Sequence, residues 1–193
     1  MLPLLVTPGE TINAVIGAGG AGGAALTGRN NAARTGVAGG HTQFGSITLH
    51  GGGGGGAANA GTLALPNFLE AIQQAGTGAL GGNASNDIRF GPGYAGTNNH
   101  VYSGGLAGAV FHNTAAGSSG NVYCGGGGGG AGSIFGAGGN GTDGKKDANT
   151  ANGLNATGYG AGGGSAGSVG YTTTNRTAGK GGNGSPGIII VNW

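Results

Sequence analysis

Three glycines near the start of this 193-residue sequence have the spacing of a dinucleotide-binding motif. Gly17, Gly19 and Gly22 form a G-x-G-x-x-G pattern directly after an apolar stretch, where such a motif would bind a pyrophosphate. A carboxylate that could hold the ribose is missing, because no Asp or Glu lies between Glu10 and Glu70. We therefore expect these glycines to serve close packing of the backbone.

Two further stretches of the sequence match known binding motifs only in part. Gly139, Gly144 and Lys145 match the start of a phosphate-binding P-loop, but Lys146 stands where a Ser or Thr would bind magnesium. Residues 138–143 (GGNGTD) match six positions of a calcium-binding nonapeptide that occurs only once here. We predict neither site and no cofactor.

The histidines, cysteine and carboxylates show no spacing that predicts catalysis or metal binding. His41, His50, His100 and His112 are far from one another and from Cys124 along the chain. The five carboxylates form no pair or triad order that could supply a base and a nucleophile. We expect no catalytic residues, no metal site and a protein that is not an enzyme, with Cys124 as a small buried apolar residue.

Charge and hydropathy exclude several classes of partner. Seven Lys/Arg and five Asp/Glu give a net charge of +2 and are scattered, so no basic surface for nucleic acid is predicted. No apolar run approaches eighteen residues, which predicts no membrane insertion. The opening MLPLLVTPGE lacks the features of a signal peptide, so an exported role would need another route, such as release by cell lysis.

Glycine dominates the composition and determines the expected fold. It accounts for 55 of 193 residues, against a usual share of about 7 percent. Charged residues make up only 6 percent of the chain, where about 25 percent is usual. A charged helical surface and a conventional Leu/Ile/Val core are both excluded, so the backbone itself must supply much of the packing.

The glycines form eight islands, and inside several of them other residues recur at every third position, such as Ala18, Ala21 and Ala24. A polyproline-II helix has three residues per turn and no internal hydrogen bonds, so its backbone groups need partners on close neighbours. We predict a non-classical fold, a bundle or sandwich of polyglycine-II helices. A flexible linker would explain the glycine runs but not their period of three. The islands are residues 17–23, 51–56, 76–82, 104–108, 125–130, 136–141, 158–164 and 179–184.

Short conventional elements should flank the islands in a single domain covering residues 1–193. Their β-branched content predicts strands near residues 11–16, 46–49 and 187–191. A short helix is predicted near 66–75, with Asn67 as its N-cap and Glu70 as the capping-box partner.

The connections between islands carry most of the aromatic residues, which are common anchors in binding surfaces. If successive islands alternate in direction, the connections 24–50, 83–103, 131–135 and 165–178 share the end opposite both chain termini. The candidate receptor-binding residues lie in two of these connections: Arg89, Phe90, Tyr94, Asn98, Asn99, His100, Tyr102, Tyr171 and Arg176.

Five stretches carry a resemblance to a known family: residues 6–23, 44–56, 123–132, 158–167 and 182–191. They resemble the glycine-rich domains of phage tail proteins, in particular the receptor-binding adhesins at the tips of T-even-like phage long tail fibres. The resemblance implies a polyglycine-II bundle in the virion tail that contacts other tail proteins. It also implies that the connections at the distal end bind a bacterial outer-membrane protein or surface glycan.

The sequence therefore favours a phage tail or tail-fibre-tip adhesin that attaches to the host through loops on a rigid glycine bundle. One alternative is a purely structural protein of a virion or filament. Another is an ice-binding protein, although the side chains at the third positions are too mixed for a regular Thr/Ala ladder.

Overall fold

The structure is a computed structural model that describes residues 4–28, 34–51, 60–63, 111–113, 121–170 and 174–192. The described residues contain ten short strands and no helix. The helix expected near 66–75 lies outside them. The strands are β1 (Ala14–Val15), β2 (Leu26–Gly28), β3 (Thr42–Phe44), β4 (Ile47–Leu49), β5 (Ala60–Leu63), β6 (Phe111–Asn113), β7 (Asn121–Cys124), β8 (Lys145–Lys146), β9 (Val169–Gly170) and β10 (Arg176–Ala178).

These strands form four small sheets. Three are antiparallel, with the orders β1-β3-β4, β10-β2 and β5-β7-β6, and the pair β8-β9 is parallel. β1 falls inside the expected strand 11–16, and β4 covers most of 46–49. Residues 187–191 carry no strand, because Gly187 instead donates its N–H to the carbonyl of Gly17 and continues a different bonding pattern.

That pattern dominates seven extended segments, in which backbone hydrogen bonds to a neighbour recur at every third residue. A β-ladder repeats every second residue instead. In one example, the N–H groups of Gly139, Thr142 and Lys145 donate to the carbonyls of Gly162, Ser165 and Ser168 over 2.9, 3.1 and 3.0 Å. We name the segments S1 (17–24), S2 (34–40), S3 (125–133), S4 (136–145), S5 (149–157), S6 (160–168) and S7 (177–187).

Segment S6 lies at the centre of this network. It shares backbone hydrogen bonds with S3, S4, S5 and S7. S7 in turn bonds to S1, and S1 bonds to S2. S4 and S6 run parallel, as do S5 and S7, whereas S3–S4, S7–S1 and S1–S2 are antiparallel. A single segment therefore offers donors and acceptors in several directions.

Glycine is required where the segments touch. A Cβ built on Gly164 in S6 would overlap the carbonyl oxygen of Asn140, and one on Gly182 in S7 would overlap that of Leu154. The same holds for Gly127 and Gly130 in S3, which face the carbonyls of S6. At these contacts only a hydrogen atom fits between neighbouring backbones, which is the close approach that the composition predicts.

The buried side chains are correspondingly small. Among the described residues, Val169 is the largest side chain that is fully buried, followed by Cys124 and Ser168. The remaining buried apolar residues are all alanine: Ala131, Ala161, Ala166 and Ala178. Backbone contacts, with methyl groups filling the gaps, therefore take the place of a conventional core.

Asparagine side chains complete the bonding between S5 and S7. Asn152 accepts a hydrogen bond from the N–H of Lys180 over 2.8 Å, while the next residue, Gly153, donates to the carbonyl of Lys180 over 2.8 Å. The same two-bond clamp recurs three residues earlier and three residues later. Its acceptors Asn149 and Asn155 bind the N–H groups of Thr177 and Asn183.

The directions of the segments define two ends of this body. The terminal end holds the 133–136 and 157–160 turns, the β1-β3-β4 sheet and the described residues near both termini. The opposite end holds the last residues of S1 and S6 and the start of S7.

The expected end assignment is wrong for residues 131–135, which turn at the terminal end, and for 24–50, which spans both ends. Residues 24–50 span both ends because they contain S2, a full segment of the body that is not a glycine island, and S5 is a second such segment. S5 contains one glycine, Gly153, where an added Cβ would overlap the carbonyl oxygen of Gly164, and most of its other side chains are exposed.

Candidate functional site

One of the candidate receptor-binding residues, Arg176, lies in the described part of the chain. Arg176 lies at the opposite end of the body, where it is the first residue of β10 and pairs with Gly28 of β2. Its side chain is half-buried, and its Nε is buried without a hydrogen-bond partner among the described residues. The other candidates lie outside the described residues: Arg89, Phe90, Tyr94, Asn98, Asn99, His100, Tyr102 and Tyr171.

The terminal end instead exposes three large side chains on two adjacent turns. Ile134 and Phe135 are 43 and 41 percent exposed on the turn between S3 and S4, and Tyr159 is 46 percent exposed on the turn between S5 and S6. Phe135 and Tyr159 face each other across an isolated antiparallel bridge. We call Ile134, Phe135 and Tyr159 the aromatic turn cluster.

Local hydrogen bonds fix the first of these turns. The Ser133 N–H donates to the carbonyl of Gly136 over 2.8 Å, which closes the turn. The Ser133 hydroxyl accepts a hydrogen bond from the Phe135 N–H over 3.0 Å and donates to the Tyr159 carbonyl. The Tyr159 N–H donates back to the Phe135 carbonyl over 3.1 Å. Ser133 thus ties both turns together.

The second turn depends on two glycines in the left-handed region. Gly158 and Gly160, with φ of 71° and 67°, flank Tyr159 and allow the chain to reverse direction. The N–H of Gly160 donates to the carbonyl of Pro186 over 2.7 Å, which anchors this turn to S7. The backbone under the cluster is therefore held from three segments, so its side chains are presented with little ordering cost on binding.

Neither Phe135 nor Tyr159 is among the candidate receptor-binding residues that the sequence suggests. The signal that could have found them is the SIFG tetrapeptide at 133–136, where apolar residues sit between two glycine-rich segments. A serine at the first position of a tight turn is common because its hydroxyl bonds the nearby backbone.

The glycines of the dinucleotide-like motif are engaged in packing and hydrogen bonding. The N–H of Gly17 donates to Thr42 Oγ1 over 3.1 Å, and that of Gly22 donates to Asn183 Oδ1 over 2.9 Å. A Cβ on Gly17, Gly19 or Gly22 would overlap a carbonyl oxygen of a neighbouring segment. Residues 17–24 form the extended segment S1, whereas a dinucleotide site needs a helix there.

Cys124 is fully buried at the end of β7, as the sequence predicts. Burial raises the pKa of its thiol to about 11, because the thiolate would be desolvated, and this outweighs the hydrogen bond from the Gly170 backbone that lowers it. The group is therefore a neutral thiol at physiological pH, unlike the low-pKa thiolates of reactive cysteines.

Within the described ranges, no three His, Cys, Asp or Glu residues lie close enough together to hold a metal ion. The described residues also contain no helix with the length and apolar character that crossing a membrane requires.

A family model described as a glycine-rich domain matches residues 2–193. No curated protein matches the chain, and no solved structure does.

Proposed function

The chain belongs to the glycine-rich domain family, and from this premise we propose that it is an adhesin of a phage tail or tail-fibre tip. In this proposal it acts in the virion, is released by host lysis and has no catalytic role. It binds a bacterial outer-membrane protein or surface glycan through residues at the ends of a rigid body.

We also propose that S1–S7 are polyglycine-II helices. The hydrogen bonds at every third residue support this, because that is the repeat of a helix with three residues per turn. The backbone angles support it as well. Among the described glycines, φ is positive at Gly9, Gly28, Gly45, Gly158 and Gly160, so the buried glycines of the segment contacts have the negative φ of a polyproline-II-like helix.

The observation that carries the adhesin proposal is the exposure of Ile134, Phe135 and Tyr159 on two hydrogen-bonded turns at the terminal end. The body beneath them is held mainly by backbone hydrogen bonds, so these side chains are not needed for its core. Rigid aromatic residues supply contact area at low entropic cost, and hot spots of protein interfaces are enriched in them.

The experiment is binding of the fluorescently labelled protein to a panel of intact bacterial cells. We would compare the parent with Phe135→Ala/Tyr159→Ala and with Phe90→Ala/Tyr94→Ala/Tyr102→Ala. The matched control is Val37→Ala, which removes a 64 percent exposed apolar side chain from segment S2. The adhesin proposal is supported if the parent and the control bind saturably and one of the two aromatic variants loses this binding while it stays folded.

A structural role in the virion or in a filament is the second candidate, and one observation favours it. The terminal end exposes aliphatic side chains near both described chain ends, including Leu5 at 98 percent, Ile16 at 57 percent and Ile190 at 58 percent. Such a patch suits contact with another tail protein or another copy. Concentration-dependent self-association without binding to any host cell would favour this role over adhesion.

A further inference from the structure

Two histidines nine residues apart in the sequence meet on the surface of the terminal end. The Nδ1 atoms of His41 and His50 are 3.1 Å apart, and the ring centroids are 4.5 Å apart with the ring planes nearly perpendicular. Both side chains are exposed. A hydrogen bond between these atoms requires one ring to carry hydrogen on Nδ1 and the other to leave its Nδ1 lone pair free.

The hairpin register brings this pair together. β3 and β4 pair Thr42 with Leu49 and Phe44 with Ile47, so His41 and His50 occupy the next opposed positions. Gly45, with φ of 57°, begins the two-residue loop, as a type II′ turn requires. Directly opposed residues have Cβ atoms about 4.5–5.5 Å apart, which suits two rings that contact each other through nitrogen.

We propose that His41 and His50 form a surface site for a divalent transition-metal ion. Two nitrogens bound about 2.0–2.1 Å from one ion lie about 2.9 Å apart at a right angle and about 3.4 Å apart at a tetrahedral angle. The observed 3.1 Å falls between these values, so the spacing of the two nitrogens already suits one ion, and the exposed rings need only turn until both nitrogens face the ion and no longer each other.

Binding requires one rearrangement of protons. The ring that carries hydrogen on Nδ1 must carry it on Nε2 instead, so that both Nδ1 lone pairs face the metal, and solvent can exchange this proton because both rings are exposed. No net proton is released from two neutral imidazoles.

Imidazole ligands select Cu²⁺, Ni²⁺ or Zn²⁺ over Ca²⁺ and Mg²⁺, which prefer oxygen. No third His, Cys, Asp or Glu completes the site among the described residues, so the remaining coordination positions take water or an atom of a binding partner.

The test is titration of the untagged full chain with Cu²⁺, the strongest binder of this metal series. We expect saturable binding of one equivalent to the histidine pair, and His41→Gln and His50→Gln should each weaken it at least tenfold. His112→Gln, which removes a histidine outside the pair, is the matched control and should leave the affinity unchanged. Ca²⁺ should not compete.

A second readout does not depend on variants. Paramagnetic broadening by Cu²⁺ in amide NMR spectra should affect residues 40–42 and 49–51 first. The proposal is overturned if the wild-type chain shows no saturable Cu²⁺ binding, if both glutamine variants bind as the parent does, or if broadening centres elsewhere.

Discussion

At the residue scale, the structure depends on positions where hydrogen is the only side chain that fits. Gly164 lies in the central segment S6, where its N–H donates to the carbonyl of Leu154 and an added Cβ would overlap the carbonyl oxygen of Asn140. Gly162, two residues earlier, faces a roomier site in which the nearest atom to a Cβ would be the Ala131 nitrogen at 3.3 Å. Substitution of these two glycines tests whether stability depends on close packing at particular positions or only on the glycine content of the chain.

We expect Gly164→Ala to lower the free energy of unfolding by about 3 kcal/mol, because the clash is with backbone that other hydrogen bonds hold in place. Gly162→Ala should cost about 1 kcal/mol or less, since alanine also reduces the entropy of the unfolded chain. Chemical denaturation of both variants measures the difference. Equal losses in the two variants would contradict the packing model.

The buried thiol gives a prediction about pH. Unfolded Cys124 loses its proton near a pKa of about 8.5, whereas burial raises the pKa of the folded group to about 11. Its contribution to stability is therefore complete below pH 8 and is lost as pH rises toward 11.

Cys124→Ser is a close match in size and does not titrate in this range. We expect the difference in unfolding free energy between parent and variant to be constant up to pH 8 and then to shrink. Denaturant unfolding at pH 7, 9 and 10 measures it. Parallel pH profiles for the two proteins would rule out this effect of burial.

The contact between the two histidines of the hairpin was not predicted from the sequence. Separation along the chain argued against a metal site, yet HTQFGSITLH places His41 and His50 symmetrically about the Gly45–Ser46 loop. A Gly-Ser pair between two β-branched or aromatic runs is a hairpin signal. Reading that signal would have placed the two rings opposite each other, although not at a particular distance.

At the element scale, the two-bond clamps explain how an exposed segment keeps its place. S5 has only Gly153 as a glycine, and its exposed asparagines accept hydrogen bonds from N–H groups of S7. The period of three is visible in the sequence within the glycine islands. It did not reveal S5, where asparagines that bond to S7 stand at every third position and Gly153 is the single glycine.

We expect Asn152→Ala to destabilise the S5–S7 contact by about 1 kcal/mol, the usual net value of one hydrogen bond. Amide hydrogen exchange at Lys180 should accelerate at least about fivefold, because its N–H loses the Asn152 acceptor. Asn13→Ala is the matched control, since Asn13 is also exposed but lies outside S5, S7 and the clamps. Equal exchange at Lys180 in both variants would show that the clamp contributes nothing measurable.

At the scale of the whole molecule, the architecture implies that no segment is stable alone. The backbone hydrogen bonds of S1–S7 run to neighbouring segments, so each segment depends on those neighbours for its backbone partners. S6 shares bonds with four others, which couples S3, S4, S5 and S7 directly and S1 and S2 through S7. Loss of one contact should therefore weaken the rest.

We accordingly predict that S1–S7 unfold in a single cooperative transition. Because these segments contain no α-helix, the transition should not include a loss of α-helical circular dichroism signal from them. Bonded amides of S3, S4, S5, S6 and S7 should exchange with one common free energy, since global opening is the route by which each loses its partner. Thermal unfolding followed by circular dichroism, together with amide exchange by NMR, measures both. A flexible glycine chain would instead show a gradual thermal change and unprotected amides. Protection confined to the β-strands, with S6 exchanging freely, would contradict the central place of S6 in the network.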